Sequence, residues 1–304
     1  MLDSVKRTLR KSYPKLYGDW VRYCSRSFPA KVSRILADPT PPRTLGSKEF
    51  DLLQSQYTQW WPNYGYDDYS KWQRGVERAI ELIGTYDLQV PGQSILEVAC
   101  GDGMTGIAIA SYGHRVELID IEDWRDPRAK SLDFRLGDVC IESGLGGSDY
   151  DFIYSFNAFE HLPNPDIALA NMVAACKPGG RIFMQFDPLY ASPLGLHAFS
   201  FMMPYPQFLF ADSLIQEKIR ELGLQDLGNE MDVLQPTNKY KPSSFRRVFE
   251  TSGCNVVFYS ENPNPRHLNL ILRFPHAFCG RGLTLEDVTT SGVTALLQKP
   301  FQAG

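Results

Sequence analysis

The chain has 304 residues, 43% hydrophobic and 22% charged, and a formal net charge of −4, a composition typical of a soluble globular protein with a sizeable core. No stretch approaches the roughly 18–20 apolar residues that span a bilayer, and no charged leader precedes an apolar segment, so we expect neither a transmembrane segment nor secretion. Six scattered cysteines without a C-x-x-C pair predict free thiols in the cytoplasm, and five histidines without metal-ligand spacing predict no metal site.

The N-terminal segment, residues 1–48, is strongly basic. It holds eleven Lys and Arg against three Asp, a charge of +8 that leaves −12 for the rest of the chain. We interpret it as a helical arm, either solvated or docked on the acidic body. The alternatives are that it contacts an anionic membrane, nucleic acid or a phosphorylated substrate, or that it is a mitochondrial transit peptide. Because the body has no basic groove interleaved with aromatics, we expect no nucleic-acid partner.

The next segment, residues 49–93, is rich in aromatic residues, eight of which fall between positions 50 and 72. It then becomes helical, with an apolar face at Trp72, Val76, Ile80 and Ile83. We expect these aromatics either to pack on a sheet in the ordinary way or to cap a site and exclude water. In the second case Tyr64 and Trp72 contact the substrate.

From residue 94 onward, strands alternate with helices. Strands are predicted at 94–99, 115–121, 134–139, 150–156 and 181–186, and helices at 104–113 and 167–180. The strands are continuously apolar, which favours a parallel sheet covered on both faces, with its ligand over the carboxyl ends of the strands. The alternation lapses over 188–242 and resumes with a helix at 243–253 and strands at 255–260 and 292–300.

The predicted fold is therefore a doubly wound, Rossmann-like α/β sheet of seven strands, with an N-terminal helical arm and a cap insertion after strand five. We divide the chain into the basic arm, the aromatic lead-in, the cofactor-binding core, the insertion and the C-terminal part of the sheet, at residues 1–48, 49–93, 94–187, 188–242 and 243–304. The insertion contains a helix at 211–223 and the run "FSFMMPYPQFLF". This run predicts either a substrate cap or a homodimer or membrane-surface contact.

The segment "EVACGDGMTG", residues 97–106, contains G-x-G-x-x-G between a strand and a helix, and Asp120 follows Gly101 by 19 residues. This pattern alone is that of an NAD site. Glu97 and Asp102 argue against a pyrophosphate here, since each like-charged pair at about 6 Å costs roughly 2–3 kcal/mol at an effective dielectric of about 20. The same carboxylates favour a phosphate-free cationic cofactor, and S-adenosylmethionine has that character.

Five motifs follow one another in order: E-V-A-C-G-D-G, L-I-D, G-D-V, F-E-H-L-P-N-P and K-P-G-G. With them the chain resembles class I S-adenosylmethionine-dependent methyltransferases, especially the group similar to ubiquinone and menaquinone biosynthesis enzymes. The resemblance implies a methionine subsite at Glu97, Ala99, Gly101 and Gly103. It also implies that Asp120 and Ile121 hold the ribose and flank the adenine, that Asp138 and Val139 reach the adenine edge, and that Asn157 lies beneath the sulfonium.

Methyl transfer from a sulfonium is an in-line displacement, so the protein mainly orients the reactants and excludes water. An oxygen acceptor is favoured over nitrogen and carbon, on a small molecule such as a secondary metabolite, glycan or lipid precursor. The candidate general bases are His161 and His197, and the candidate substrate contacts after strand five are Asp187 and Tyr190. The alternatives are an NAD-dependent oxidoreductase or epimerase and an inactive, methyltransferase-like partner subunit.

Overall fold

The structure is a computed structural model that describes residues 27–59, 65, 67–86, 88–141, 145, 149–226, 229–231 and 234–301. Residues 1–26 of the basic arm and Tyr64 lie outside the described residues. The helices are α1 (27–36), α2 (Ser47–Gln56), α3 (Asp68–Thr85), α4 (Met104–Ser111), α5 (Pro165–Ala175), α6 (Pro206–Leu209), α7 (Asp212–Leu222), α8 (Pro242–Glu250), α9 (Leu268–Arg273), α10 (Pro275–Phe278) and α11 (Leu285–Thr289). The strands are β1 (Ser94–Val98), β2 (Arg115–Asp120), β3 (Asp133–Leu136), β4 (Tyr150–Phe156), β5 (Cys176–Phe186), β6 (Leu224–Asp226), β7 (Asn229–Met231), β8 (Asn255–Pro263) and β9 (Thr290–Gln298).

The main sheet has seven strands in the order β3-β2-β1-β4-β5-β9-β8. Strands β1 to β5 pair in parallel, and β9 runs antiparallel to both β5 and β8. The strand order reverses between β1 and β4, which is where a doubly wound sheet binds its ligand. The predicted fold class is confirmed.

The helix predicted at 167–180 ends early. Helix α5 stops at Ala175, and the K-P-G-G segment belongs to β5, whose register with β4 shifts between Tyr150 and Phe152. Pro178 lacks the N–H that a helix requires, and Gly179 has φ +80°. The backbone therefore leaves the helix before this turn rather than after it.

The apolar face predicted for α3 was right for two of its four residues. Val76 and Ile83 pack against the core, whereas Ile80 is 66% exposed and Trp72 is 38% exposed. The residues of this helix that are fully buried are Gly75, Ala79 and Leu82. The cause is close packing: a Cβ on Gly75 would lie 2.6 Å from the carbonyl carbon of Met104, the first residue of α4. The absence of a side chain at Gly75 therefore allows α3 to pack closely against α4.

The aromatic run of the insertion forms part of a second hydrophobic core, away from the sheet. Phe50 of α2 contacts both Phe201 and Phe210, with ring centroids 5.0 Å apart in each pair. Six apolar side chains of the run are at most 3% exposed: Phe201, Met203, Tyr205, Phe208, Leu209 and Phe210. The expectation of a homodimer or membrane-surface contact through this run is therefore corrected, because the same chain covers it.

The region 262–291, which the sequence left unassigned, supplies the short helices α9, α10 and α11. Phe278 of α10 packs against Tyr205 and Phe208 at centroid distances of 5.6 and 5.8 Å. These helices therefore complete the second core. Within the described part of the chain, no helix has both the length and the apolar character needed to cross a membrane.

Candidate active site

The loop after β1 turns sharply through three left-handed residues. Ala99, Gly101 and Gly103 have φ of +55°, +52° and +69°, and α4 begins at the next residue. A left-handed alanine is uncommon and strained, and such residues are concentrated at functional sites. The turn brings the N-terminus of α4 to the carboxyl end of β1.

Glu97 lies beneath this loop and is 4% exposed. Its Oε2 accepts a hydrogen bond of 3.0 Å from the Gly106 amide. A Cβ on Gly106 would stand only 2.9 Å from that oxygen and 2.7 Å from Cδ2 of Leu118, so a larger residue here would displace these side chains. Burial raises the pKa of Glu97 to about 8, with a smaller contribution from Asp102, while Tyr154, Arg78 and the Gly106 amide oppose the rise. The carboxyl therefore ionises readily only beside a cation, which suits a ligand with a positive charge.

The carboxylate of Asp102 is already paired. Its Oδ1 accepts a hydrogen bond of 3.0 Å from the Met104 amide, and its Oδ2 forms an ion pair with Nη2 of Arg74 at 3.1 Å. Because burial favours the protonated form of Glu97 and the charge of Asp102 is paired with that of Arg74, the loop repels a diphosphate less than we expected from the sequence.

Asp120 anchors the loop to the end of β2. Its Oδ2 accepts from the Gly101 amide at 2.9 Å and its Oδ1 from the Ile121 amide at 2.7 Å. Burial raises the pKa of Asp120, and these amides oppose the rise. The side chain of Ile121 is 63% exposed beside it, so a carboxylate and an apolar surface are adjacent at this sheet edge.

The next strand end holds Asp138 and Val139. Oδ1 of Asp138 accepts from the Cys140 amide at 2.7 Å. The side chain of Val139 is 5% exposed within the core, and its carbonyl accepts from Asn171 at 2.8 Å. The structure thus leaves the Asp138 carboxylate at the edge and turns the Val139 side chain inward.

Asn157 follows β4 with φ +49°, and its amide donates to the Gln185 carbonyl at 2.8 Å. Asp187 directly follows β5, whose Gln185 pairs with Phe156 of β4. Burial raises the pKa of the Asp187 carboxyl, while Arg78 opposes the rise. The strand ends therefore bring Asn157 and Asp187 together with the glycine loop.

Arg78 of α3 is a residue that the sequence analysis missed. Its guanidinium carbon lies 4.6 Å from the centroid of the Phe156 ring, and its charge opposes the raised pKa values of both Glu97 and Asp187. It follows Arg74 by one helical turn, and that i, i+4 spacing on the face nearest the loop is the signal that was available.

The candidate bases His161 and His197 are in contact, with ring centroids 4.7 Å apart. Nδ1 of His161 lies 2.8 Å from the Pro236 carbonyl, and Nε2 of His197 lies 2.9 Å from the Pro188 carbonyl. Because a carbonyl only accepts, each of these nitrogens carries the proton. Burial lowers the pKa of both, that of His197 to about 3. His197 is 1% exposed, which favours a structural role for it over proton transfer.

Two further candidates lie around this edge. The ring of Tyr190 is half-buried against Phe208, with centroids 5.8 Å apart, while Trp72 on α3 is partly exposed. Among the described residues, no cluster of three or more His, Cys, Asp or Glu could hold a metal ion.

Residues 64–258 match the family described as "Methyltransferase domain". The chain is 27% identical over 103 residues to a ubiquinone biosynthesis O-methyltransferase of Coxiella burnetii, a match that covers 32% of this chain and 44% of the relative. It is 23% identical over 167 residues to phosphoethanolamine N-methyltransferase 2 of Caenorhabditis elegans, covering 48% of this chain and 36% of the relative. The chain thus spans less than half the length of these two relatives.

Among solved structures, the magnesium protoporphyrin IX methyltransferase of Synechocystis PCC 6803 with bound SAH superposes with a TM-score of 0.45 at 16% identity. The superposition covers 83% of this chain and 94% of the other.

Proposed function

The chain belongs to the class I S-adenosylmethionine-dependent methyltransferase family, and from this premise we propose that it methylates an oxygen atom of a small molecule. The family match confirms the resemblance found in the motifs and the cofactor that it implied. The oxygen acceptor is supported by the names of several curated relatives, which are ubiquinone biosynthesis O-methyltransferases.

One observation carries the proposal. Within the matched segment, the buried carboxyl of Glu97, the left-handed loop 99–103 and the carboxylate of Asp120 meet at the carboxyl ends of β1 and β2. Glu97 suits a cation, and Asp120 keeps lone pairs for hydroxyl donors beyond the backbone amides from which it accepts hydrogen bonds. These residues therefore fit S-adenosylmethionine, which when bound supplies the methyl group and its sulfur leaving group.

We assign the methionine part of the cofactor to Glu97, Ala99, Gly101 and Gly103. Arg78 offers its guanidinium to the carboxylate of that methionine part. Asp120 and Ile121 hold the ribose and flank the adenine, Asp138 and the Val139 backbone reach the adenine edge, and Asn157 lies beneath the sulfonium.

The acceptor side is built from the ends of β4 and β5. His161 takes the hydroxyl proton at Nε2, because its Nδ1 already donates to the Pro236 carbonyl. Glu160 stabilises the resulting imidazolium, since its Oε1 lies 3.8 Å from that Nε2. Asp187 and Tyr190 orient the acceptor, and His197 supports the His161 ring from behind.

We further propose that the aromatic lead-in and the insertion cover this site and exclude water. The two segments are bonded to each other: Nε2 of Gln54 donates to the Ser200 carbonyl, and Oε1 of Gln54 accepts from the Met202 amide, both at 2.9 Å. We place the reaction in the cytoplasm, supported by five free cysteines among the described residues.

Two measurements test the proposal. Calorimetry should show S-adenosylmethionine binding more tightly than NAD, and in a panel of phenols, alcohols and amines a labelled methyl group should pass from the cofactor to at least one phenol or alcohol. Transfer only to amines would show that the acceptor atom is nitrogen and not oxygen. Cofactor binding without transfer to any panel member would favour the inactive partner subunit.

A further inference from the structure

Two positive charges flank one pair of aromatic rings just beyond β5. The ammonium nitrogen of Lys239 lies 4.9 Å from the Tyr190 ring centroid. The guanidinium carbon of Arg281 lies 5.3 Å from the Phe208 centroid, and the Tyr190 and Phe208 rings meet edge to face. Cations over ring faces are a recognised attractive arrangement, so one aromatic surface here carries two cations.

Hydrogen bonds hold this surface together. Nε2 of Gln207 donates to the Tyr190 carbonyl at 2.7 Å. Nη2 of Arg281 donates to the Phe208 carbonyl at 3.0 Å. Lys241 donates to the Gly282 carbonyl at 2.6 Å, which joins the segments that carry Lys239 and Arg281. The arrangement is therefore fixed from the insertion and from the C-terminal part of the chain.

Lys239 is held in an unfavourable backbone conformation, with φ +59°. The preceding Asn238 is pinned, since its Nδ2 donates to the Phe159 and Leu162 carbonyls at 2.6 and 2.9 Å and its Oδ1 accepts from the Tyr240 amide. Left-handed non-glycine residues persist where surrounding contacts enforce them, often at ligand sites. Here the hydrogen bonds of Asn238 hold Lys239 against the turn that carries His161.

The charges of Lys239 and Arg281 are not balanced locally. Within the described residues, neither has a carboxylate oxygen within 4.0 Å, whereas the nearby Lys241 pairs with Asp287 at 3.2 Å. Asp212 influences Tyr190 and Arg281 electrostatically but forms no ion pair with that arginine. The Tyr190 hydroxyl also makes no hydrogen bond to the described part of the protein.

We propose that Lys239 and Arg281 bind an anionic group of the methyl acceptor, a carboxylate or a phosphate, while the Tyr190 and Phe208 rings contact its apolar part. Tyr190 follows β5 by four residues, and Lys239 is tied to the turn after β4, so the subsite adjoins the reacting edge of the sheet. This inference rests on the proposed function and names the substrate class of the same site.

Matched probes test it directly. Benzoate and phenyl phosphate are titrated by calorimetry against the neutral benzamide and benzyl alcohol, with and without S-adenosylhomocysteine. We expect at least one anion to bind about tenfold more tightly than its neutral counterpart, and the preferred anion distinguishes carboxylate from phosphate. Lys239→Gln should remove most of that preference, Lys239→Arg should retain it, and Lys48→Gln, an exposed lysine on α2, should leave it unchanged.

Equal binding of charged and neutral probes, no binding of either anion, or a preference that survives Lys239→Gln would overturn the inference. The cofactor titration is separate. If the anions bind as expected while S-adenosylhomocysteine and S-adenosylmethionine do not, the anion site stands and the proposed function fails. If the cofactor binds and the anion preference is absent, the proposed function stands and the anion site fails.

Discussion

The amide of Gly106 donates a hydrogen bond of 3.0 Å to Oε2 of Glu97, and this contact joins the first turn of α4 to the carboxyl end of β1. It uses one of the unpaired N–H groups at the helix start. It also fixes a carboxyl group in a buried position beneath the glycine loop. Two predictions follow from the cost of ionising that group.

The affinity for S-adenosylmethionine should increase with pH. Because the pKa of Glu97 is raised to about 8 and a sulfonium favours the ionised carboxylate, binding should release a proton. The ionised fraction then limits binding below that pKa, so the Kd should fall by up to roughly 20-fold between pH 6.0 and 7.5. Calorimetry in two buffers of different ionisation enthalpy measures both the Kd and the proton released.

Glu97→Gln is the matched variant, because it keeps the shape and removes the ionisation. It should bind the cofactor more weakly than the unaltered chain at pH 7.5, with a Kd that changes little with pH. A variant that keeps the full pH dependence would assign the proton to another group.

Glu97 should also make the cofactor-free protein less stable at higher pH. Its pKa is about 8 in the folded state against 4.5 for an exposed glutamate, so the folded state binds more protons between these values. The free energy of unfolding should therefore fall as pH rises through that window, by up to about 4 kcal/mol at pH 8. Thermal unfolding of Glu97→Gln should show a higher Tm than the unaltered protein at pH 8 and nearly the same Tm at pH 5. A Tm difference that is equal at both pH values would contradict this account.

Two glycines on α3 provide a matched pair of substitutions. At Gly75 a Cβ would lie 2.6 Å from the Met104 carbonyl carbon, whereas at Gly84 nothing lies within 4 Å. Gly84→Ala should stabilise the protein by about 0.5–1 kcal/mol through helix propensity. Gly75→Ala should lose that gain and destabilise by about 1–3 kcal/mol, because the two helices must separate.

Denaturant unfolding gives both values, and cofactor titration should show weaker binding only for Gly75→Ala, since α3 also carries Arg74 and Arg78. Equal effects of the two substitutions would mean that α3 does not pack as closely on α4 as the structure has it.

The sheet could be predicted because apolar runs end at glycines and polar residues in a regular alternation. Asp120 was recognisable from its distance to Gly101, and the motifs around it gave the family. These features depend on local pattern, which a sequence displays directly.

The face of α3 could be predicted only in part from hydrophobicity: Val76 and Ile83 pack on the core, but the close approach of Gly75 to Met104 is set by the small size of that residue. The two carboxyls of the glycine loop indicated the right cofactor, although they repel a diphosphate less than expected. A sequence reveals the carboxyls of Glu97 and Asp102, but not that burial holds one neutral and Arg74 pairs with the other. Beyond its spacing from Arg74, the sequence does not indicate what Arg78 faces, since Glu97, Phe156 and Asp187 lie at the ends of three different strands.

The two contacting histidines should respond differently to substitution. If His161 takes the acceptor proton, kcat/KM should rise with pH through a value below 6.5, the ordinary histidine pKa, because burial lowers the pKa of His161. His161→Gln should abolish that limb and reduce the rate by about 10²–10⁴-fold. His197→Gln removes a buried ring that donates to the Pro188 carbonyl, so it should lower the Tm while the pH limb remains. Initial rates from pH 5 to 8 with the acceptor found in the panel measure both limbs. If the limb persisted in His161→Gln and vanished in His197→Gln, the two roles would have to be exchanged.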